Sequence, residues 1–337
     1  MLIDQLAGSA PTITGWQSQG GSFGVVHSGT DQWTVRLGGL TGVGGNVQLT
    51  QYLDTGEGPR GYCAIESWGP DATAMVVKVR CWNDNWSPAT QVAFGVLFDN
   101  SKVFPTTSFY EAFWQGTSNW VGQTTPPTTW LMNHTPRLTR TSQGHYTVEY
   151  LGAYINPFPL VTAWGTTPRV CNVVDWFNAA STISPHELGR YVRVACFDFA
   201  GVPLDSGFSF QMSNRSPLGV SATTGGRLLT GSATGVWTKP ATDNVNTVSG
   251  VEQASNAFLN TATAGLPVTQ IDVPGYPGAF GALTGADTLE SVGDDGARCY
   301  LENPPVRNNG SAHLWVQCTD PKGVWLAHRV HAGTWGV

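Results

Sequence analysis

Short apolar runs alternating with polar residues recur along the whole chain, each bounded by Gly, Pro, Asn or Asp. Trp33-Thr-Val-Arg-Leu37 puts Trp, Val and Leu on one side of an extended chain and Thr and Arg on the other. Val76-Val-Lys-Val-Arg-Cys-Trp82 and Tyr191-Val-Arg-Val-Ala-Cys-Phe197 have the same character. No stretch holds a 3.6-residue period over three turns, so the pattern predicts an all-β protein with at most one helical turn near Leu188-Gly-Arg190.

The pattern repeats three times. Tyr62-Cys-Ala-Ile-Glu-Ser-Trp68 leads through a Gly-Pro-Asp turn to Val76–Trp82. Val170-Cys-Asn-Val-Val-Asp-Trp176 leads to Tyr191–Phe197, and Arg298-Cys-Tyr-Leu-Glu302 leads to Leu314-Trp-Val-Gln-Cys318. The cysteines are separated by 18, 25 and 19 residues, so all six fall into matching pairs on neighbouring strands. Upstream blocks align on Trp16, Trp120 and Trp237 and again on Thr50, Thr162 and Thr284. The units span roughly 15–105, 119–215 and 236–337.

Each unit offers seven or eight strands, enough for two four-stranded blades, so three units predict a six-bladed β-propeller as a single domain over 1–337. The competing arrangement is three tandem β-sandwich domains. The joints at 106–118 and 216–235 carry further strand and turn signals (Glu111–Trp114, Arg227–Thr230), which favours the ring. The third unit also lacks the Trp that Trp68 and Trp176 supply after the first cysteine.

Composition narrows the function. Only 12% of the 337 residues are charged, the net charge is −6 and there are four lysines. Nucleic-acid affinity rests on clustered cations, so that class of partner is not expected. No apolar run approaches the roughly 20 residues of a membrane-spanning helix. Six paired cysteines predict the disulfides Cys63–Cys81, Cys171–Cys196 and Cys299–Cys318, and with them an oxidising, extracellular location. Met1–Gly8 has neither the basic region nor the apolar stretch of a signal peptide; export then implies a leader already removed.

The Gly-Gly-Asn-Val-Gln-Leu-Thr strand ending at Thr50, the Cys…Trp run and the Val-x-Val-Arg-Cys strand resemble the family of secreted actinobacterial repeat proteins that includes the dispase autolysis-inducing protein of streptomycetes. Residues 34–50 and 62–82 carry the resemblance, with an echo at 190–208. It implies a secreted, non-enzymatic β-propeller that acts on a metalloprotease and donates glutamine to an extracellular transglutaminase. It also implies seven blades, where the internal count gives six, and its motifs contain no catalytic residue.

Candidate chemistry is sparse. There is no G-x-S-x-G and no cysteine left over for thiol chemistry, so no catalytic residue is assigned and no cofactor is expected. A glycoside or polysaccharide-degrading enzyme stays open as an alternative, because paired carboxylates come from distant loops without a local signature. His328 and His331 face opposite sides of a strand, which makes a metal site with His313 unfavourable. His27 and His134 occupy matching repeat positions and read as framework. The acidic run Asp287, Glu290, Asp294 and Asp295 lacks calcium-loop spacing. Asn83, Asp198 and Asp320 each follow the second cysteine by two residues and read as Asx turns.

Two groups point to binding. Trp82, Trp86 and Trp120 flank amide-rich turns, and an indole that both stacks and donates a hydrogen bond suits a peptide or a sugar. Gln17 and Gln19 lie in an uncharged Gly-rich stretch suited to transglutaminase attack, with Gln123 and Gln143 as weaker candidates. The expectation is a binding protein whose partner is an extracellular protein such as a protease or transglutaminase, with a lectin-like carbohydrate-binding propeller as the alternative.

Overall fold

A computed structural model describes residues 2–5, 12–14, 21–41, 46–53, 61–99, 109–114, 137–151, 157–184, 188–214, 225–229, 245–246, 257–260, 268–274, 285–302, 306–308, 311–326, 328 and 330–336. These residues contain strands and turns and no helix. The first unit, with the two strands that precede it, comprises β1 (Leu2–Gln5), β2 (Thr12–Thr14), β3 (Phe23–His27), β4 (Gln32–Gly38), β5 (Asn46–Leu53), β6 (Gly61–Pro70), β7 (Ala74–Asn83) and β8 (Val92–Asp99). The second, with one strand from the joint before it, comprises β9 (Phe109–Trp114), β10 (Arg137–Ser142), β11 (His145–Leu151), β12 (Pro157–Trp164), β13 (Val170–Ala180), β14 (Leu188–Phe197) and β15 (Gly207–Asn214). The third, again with one strand from the joint before it, comprises β16 (Gly225–Leu229), β17 (Val245–Asn246), β18 (Ala257–Asn260), β19 (Val268–Pro274), β20 (Gly285–Ser291), β21 (Arg298–Glu302), β22 (Val306–Asn308), β23 (Ser311–Thr319), β24 (Trp325–Leu326) and β25 (Val330–Gly336).

The repeat is visible in the pairing. Strand order β3-β4-β7-β6 in the first unit is matched by β10-β11-β14-β13 and by β18-β19-β23-β21. A second set runs β5-β8-β1-β2, β12-β15-β9 and β20-β25-β16-β17. Parallel pairing of Leu301 with Tyr52, Trp164 with Ile65, and Val173 with Val292 links one unit to the next. Among the described residues no sheet closes on itself through its own strand order. The two sheets of a unit interleave along the sequence, because β5 leaves the first set after β4 and the chain returns to it at β6.

Burial explains that departure. Both faces of β5 are covered, so it belongs between two layers. Val47 and Leu49 pack with Trp33, Val35, Ile65, Val77 and Val79, whereas β4 simply alternates between buried and half-buried positions. The other side of β5 is polar and meets the second unit. Asn46 Nδ2 donates to the Phe210 carbonyl (3.0 Å), Gln48 Nε2 donates to Ser209 Oγ (3.2 Å), and Thr162 Oγ1 donates to Gln48 Oε1 (2.7 Å). Buried amides are tolerated because each finds such a partner. The Gln51 amide bonds both the N–H and the carbonyl of Cys63, tying β5 to β6 as a strand would.

The cysteines are directly opposed across antiparallel pairs and form Cys63–Cys81, Cys171–Cys196 and Cys299–Cys318, with Cα separations of 4.0, 4.0 and 4.1 Å. Bulges fall at equivalent places, Ile65/Ser67 and Val173/Asp175. Beyond the second, Glu149 closes the β13–β14 loop, accepting from Ser181 Oγ (2.8 Å), Thr182 N (2.6 Å), Thr182 Oγ1 and Tyr191 Oη (2.8 Å). Burial acts to raise the Glu149 carboxyl, but the hydrogen bonds from Thr182, Ser181 and Tyr191 outweigh it and leave its pKa below the ordinary value.

Candidate binding face

Three equivalent turns follow the second cysteine of each unit. Asn83 N donates to the Ser87 carbonyl (2.9 Å), Asp198 N to Val202 (2.9 Å) and Asp320 N to Val324 (2.8 Å). Inside each loop, Trp86 N reaches the Asn83 carbonyl (2.8 Å), Gly201 N that of Asp198 (3.0 Å) and Gly323 N that of Asp320 (3.0 Å). A three-residue hairpin loop of this kind ends in the left-handed region, where glycine is the usual occupant. Gly201 (φ 79°) and Gly323 (φ 81°) obey that rule; Trp86 stands at the same place with φ 69°. Among the described residues it is the one non-glycine at positive φ.

Asp198 and Asp320 behave as Asx-turn residues. Asp198 Oδ1 accepts from Ala200 N and Val202 N (both 2.9 Å), and Asp320 Oδ1 accepts from Lys322 N and Val324 N (both 2.8 Å). In the first unit the task moves to Asn85, whose Oδ1 accepts from Ser87 N (3.1 Å) and Ser87 Oγ (2.6 Å).

The turns pack on one another. Phe199, 1% exposed, receives Tyr62 at 6.1 Å, Trp82 at 6.3 Å and Trp86 at 6.4 Å between ring centroids, all near edge-to-face. A Cβ on Gly201 would stand 2.6 Å from Pro321 Cγ, which shows how closely the second and third turns meet. Arg298 lies beneath them with its side chain 1% exposed. Its guanidinium carbon is 4.9 Å from the Phe199 ring centre, and Nη2 donates to the carbonyls of Asp320 (3.2 Å) and Pro321 (3.1 Å). Nη1 faces Asp84 Oδ1 at 3.5 Å, and Tyr300 Oη donates to the same oxygen at 3.4 Å. One turn of the first unit is thereby braced by the second through Phe199 and by the third through Arg298 and Tyr300.

Trp86, Val202 and Val324, one from each turn, are 46%, 55% and 61% exposed. Each of the three turns, packed on the buried Phe199 and Arg298, thus presents one exposed apolar side chain. Trp82 is 3% exposed, so its indole serves the core rather than a ligand. Trp120, Gln17, Gln19 and Gln123 lie outside the described residues, as do His134 and Thr284. Gln143 Nε2 donates to the Pro203 carbonyl (3.0 Å), which fastens that amide into its turn. His27 stacks on Trp33 at 4.5 Å. His145 sets Nδ1 2.7 Å from the Gln143 carbonyl and Nε2 2.8 Å from Asp294 Oδ1, while His328 Nδ1 lies 3.6 Å from Asp295 Oδ2. Among the described residues no group of three or more His, Cys, Asp or Glu is placed to hold a metal ion.

Arg298 and Phe199 carry no motif. Their signal is positional: Arg298 stands before its cysteine where Tyr62 and Val170 stand before theirs. Aligning the three turns likewise sets Trp86 against two glycines. Comparison with protein-family models, curated proteins and solved structures finds no match to this chain.

Proposed function

We propose that the chain is a non-catalytic binding protein of an oxidising, extracellular setting, built as a six-sheet ring of the β-propeller kind. In this reading it captures its partner on the face where the three turns meet. The ring is supported by a circuit of neighbouring strands: β5 packs on β6, β6 pairs with β12, and β12 packs on β13. The circuit continues from β13 to Val292 beside β20, from β20 to β21, and from β21 back to β5. Three disulfides fit the oxidising compartment.

The observation that carries the function is that three turns packed over the buried Phe199 and Arg298 each present one exposed apolar side chain, Trp86, Val202 and Val324. Turns already fixed by their own hydrogen bonds lose little freedom on binding, which favours recognition. The test immobilises the protein and offers an extracellular metalloprotease, a microbial transglutaminase and a glycan array. Saturable binding is expected, and a variant with Trp86, Val202 and Val324 all changed to Ser loses it while keeping its Tm. Undiminished binding by that variant refutes the face. Saturable turnover of chromogenic glycosides, esters or peptides by pure protein refutes the non-catalytic assignment.

A further inference from the structure

We infer that Asp84, Asn85 and Trp86 form a single subsite for a neutral pyranose of an oligo- or polysaccharide, an inference that rests on the binding face proposed above. Three features of this turn carry it. First, Trp86 occupies a backbone conformation that both sister turns leave to glycine, and the residue is nearly half exposed. Residues in such conformations persist where the surroundings over-determine them, and they concentrate at ligand sites. Here Phe199 buttresses the ring edge-on at 6.4 Å, leaving the indole as an exposed platform for the C–H face of a sugar.

Second, the two residues before Trp86 supply the polar complement. Ser87 ties Asn85 through its Oδ1, so the amide orientation is set and the two Nδ2 hydrogens act as donors. The Asp84 carboxylate, 30% exposed and oriented by Arg298 and Tyr300, is an acceptor. A donor and an acceptor next to an aromatic platform match the vicinal hydroxyls and apolar face of a pyranose. Third, the sister turns lack the set. Their equivalents are Phe199-Ala200-Gly201 and Pro321-Lys322-Gly323. The threefold repeat therefore presents one sugar subsite and not three.

The test uses the intact protein with cello-, chito-, manno- and galacto-oligosaccharides, read by calorimetric titration and tryptophan fluorescence. At least one series is expected to bind with a stoichiometry of one and to shift the indole emission. Trp86→Gly installs the residue of the sister turns, so the fold is expected to hold while affinity falls about 30-fold or more. Trp86→Phe recovers part of the loss, and Asn85→Ala weakens binding about tenfold. Retention of affinity by Trp86→Gly and Asn85→Ala overturns the subsite, as does a stoichiometry of three. Absence of binding to every oligosaccharide, with metalloprotease or transglutaminase binding lost in Trp86→Gly, also overturns it and leaves the binding face standing with a protein partner. Should Trp86→Gly lower Tm markedly, Trp86→Phe and Asn85→Ala decide the question alone.

Discussion

Replacing Arg298 tests whether one buried guanidinium holds the three units together at their turns. Its Nη2 makes two charge-assisted hydrogen bonds to backbone carbonyls, each worth about 1.5–3 kcal/mol. Its guanidinium carbon lies over the Phe199 ring at 4.9 Å, a contact worth about 2 kcal/mol when desolvated. Against these stands the cost of burying the charge, several kcal/mol, so the intact arrangement is only modestly favourable. Deletion is different, because Arg298→Ala leaves a void beneath Phe199 and takes a donor from the Asp320 and Pro321 carbonyls, of which Asp320 keeps Gly323 N. Breaking a buried charged contact from one side costs about 3–5 kcal/mol. Asp84, 30% exposed, can regain water, so about 3 kcal/mol is expected. Arg298→Met fills the void without the charge and is expected to lose only about half as much. Arg298→Lys keeps the charge but not the planar fork, and falls between wild type and Ala. The assay is urea unfolding at neutral pH without reductant, comparing midpoints at unchanged slope. A loss below about 1 kcal/mol for Arg298→Ala, or Met as damaging as Ala, refutes the bracing role.

Three further outcomes are expected. Removing Cys63–Cys81 by paired Ala substitution costs about 3 kcal/mol in the chain-entropy account, read from unfolding midpoints, and mapping of the oxidised wild type shows no cross-unit disulfide. The Glu149 carboxyl has its pKa depressed in the fold, so its contribution is present above the unfolded value and is lost as pH falls through the lower folded value. Stability is therefore expected to decline in acid below about pH 4.3, and Glu149→Gln, costing about 1–3 kcal/mol at neutral pH, flattens that decline; an unchanged pH profile counts against it. Labelled-amine incorporation by a microbial transglutaminase is expected within residues 15–21 and not at Gln143, whose amide is engaged by Pro203; peptide mapping that finds Gln143 labelled contradicts the geometry.

The strand pattern, the three units and the cysteine partners were written in the sequence because each rests on local periodicity. Alternation around Trp33 and Val35 selects a strand, and residues opposed across one antiparallel pair bring Cys63 to Cys81 without distant information. The course of β5 was not written there. Asn46-Val-Gln-Leu-Thr50 alternates polar with apolar residues, and its polar side is buried because Ser209 and Thr162, more than 100 positions away, satisfy its amides. The same holds for the proposed binding face. Asp198 and Asp320 can be recognised as turn formers one by one, since an Asx turn is a matter of a few neighbouring atoms, whereas in the first unit Asn85 takes the task expected of Asn83. Their meeting over Arg298 depends on the angle at which one unit follows another, and many side-chain contacts along the chain set that angle together. Trp86 shows the difference in one residue: the sequence says that a tryptophan lies in a polar turn, while only the tertiary structure lays it on Phe199 in a glycine's conformation, facing solvent.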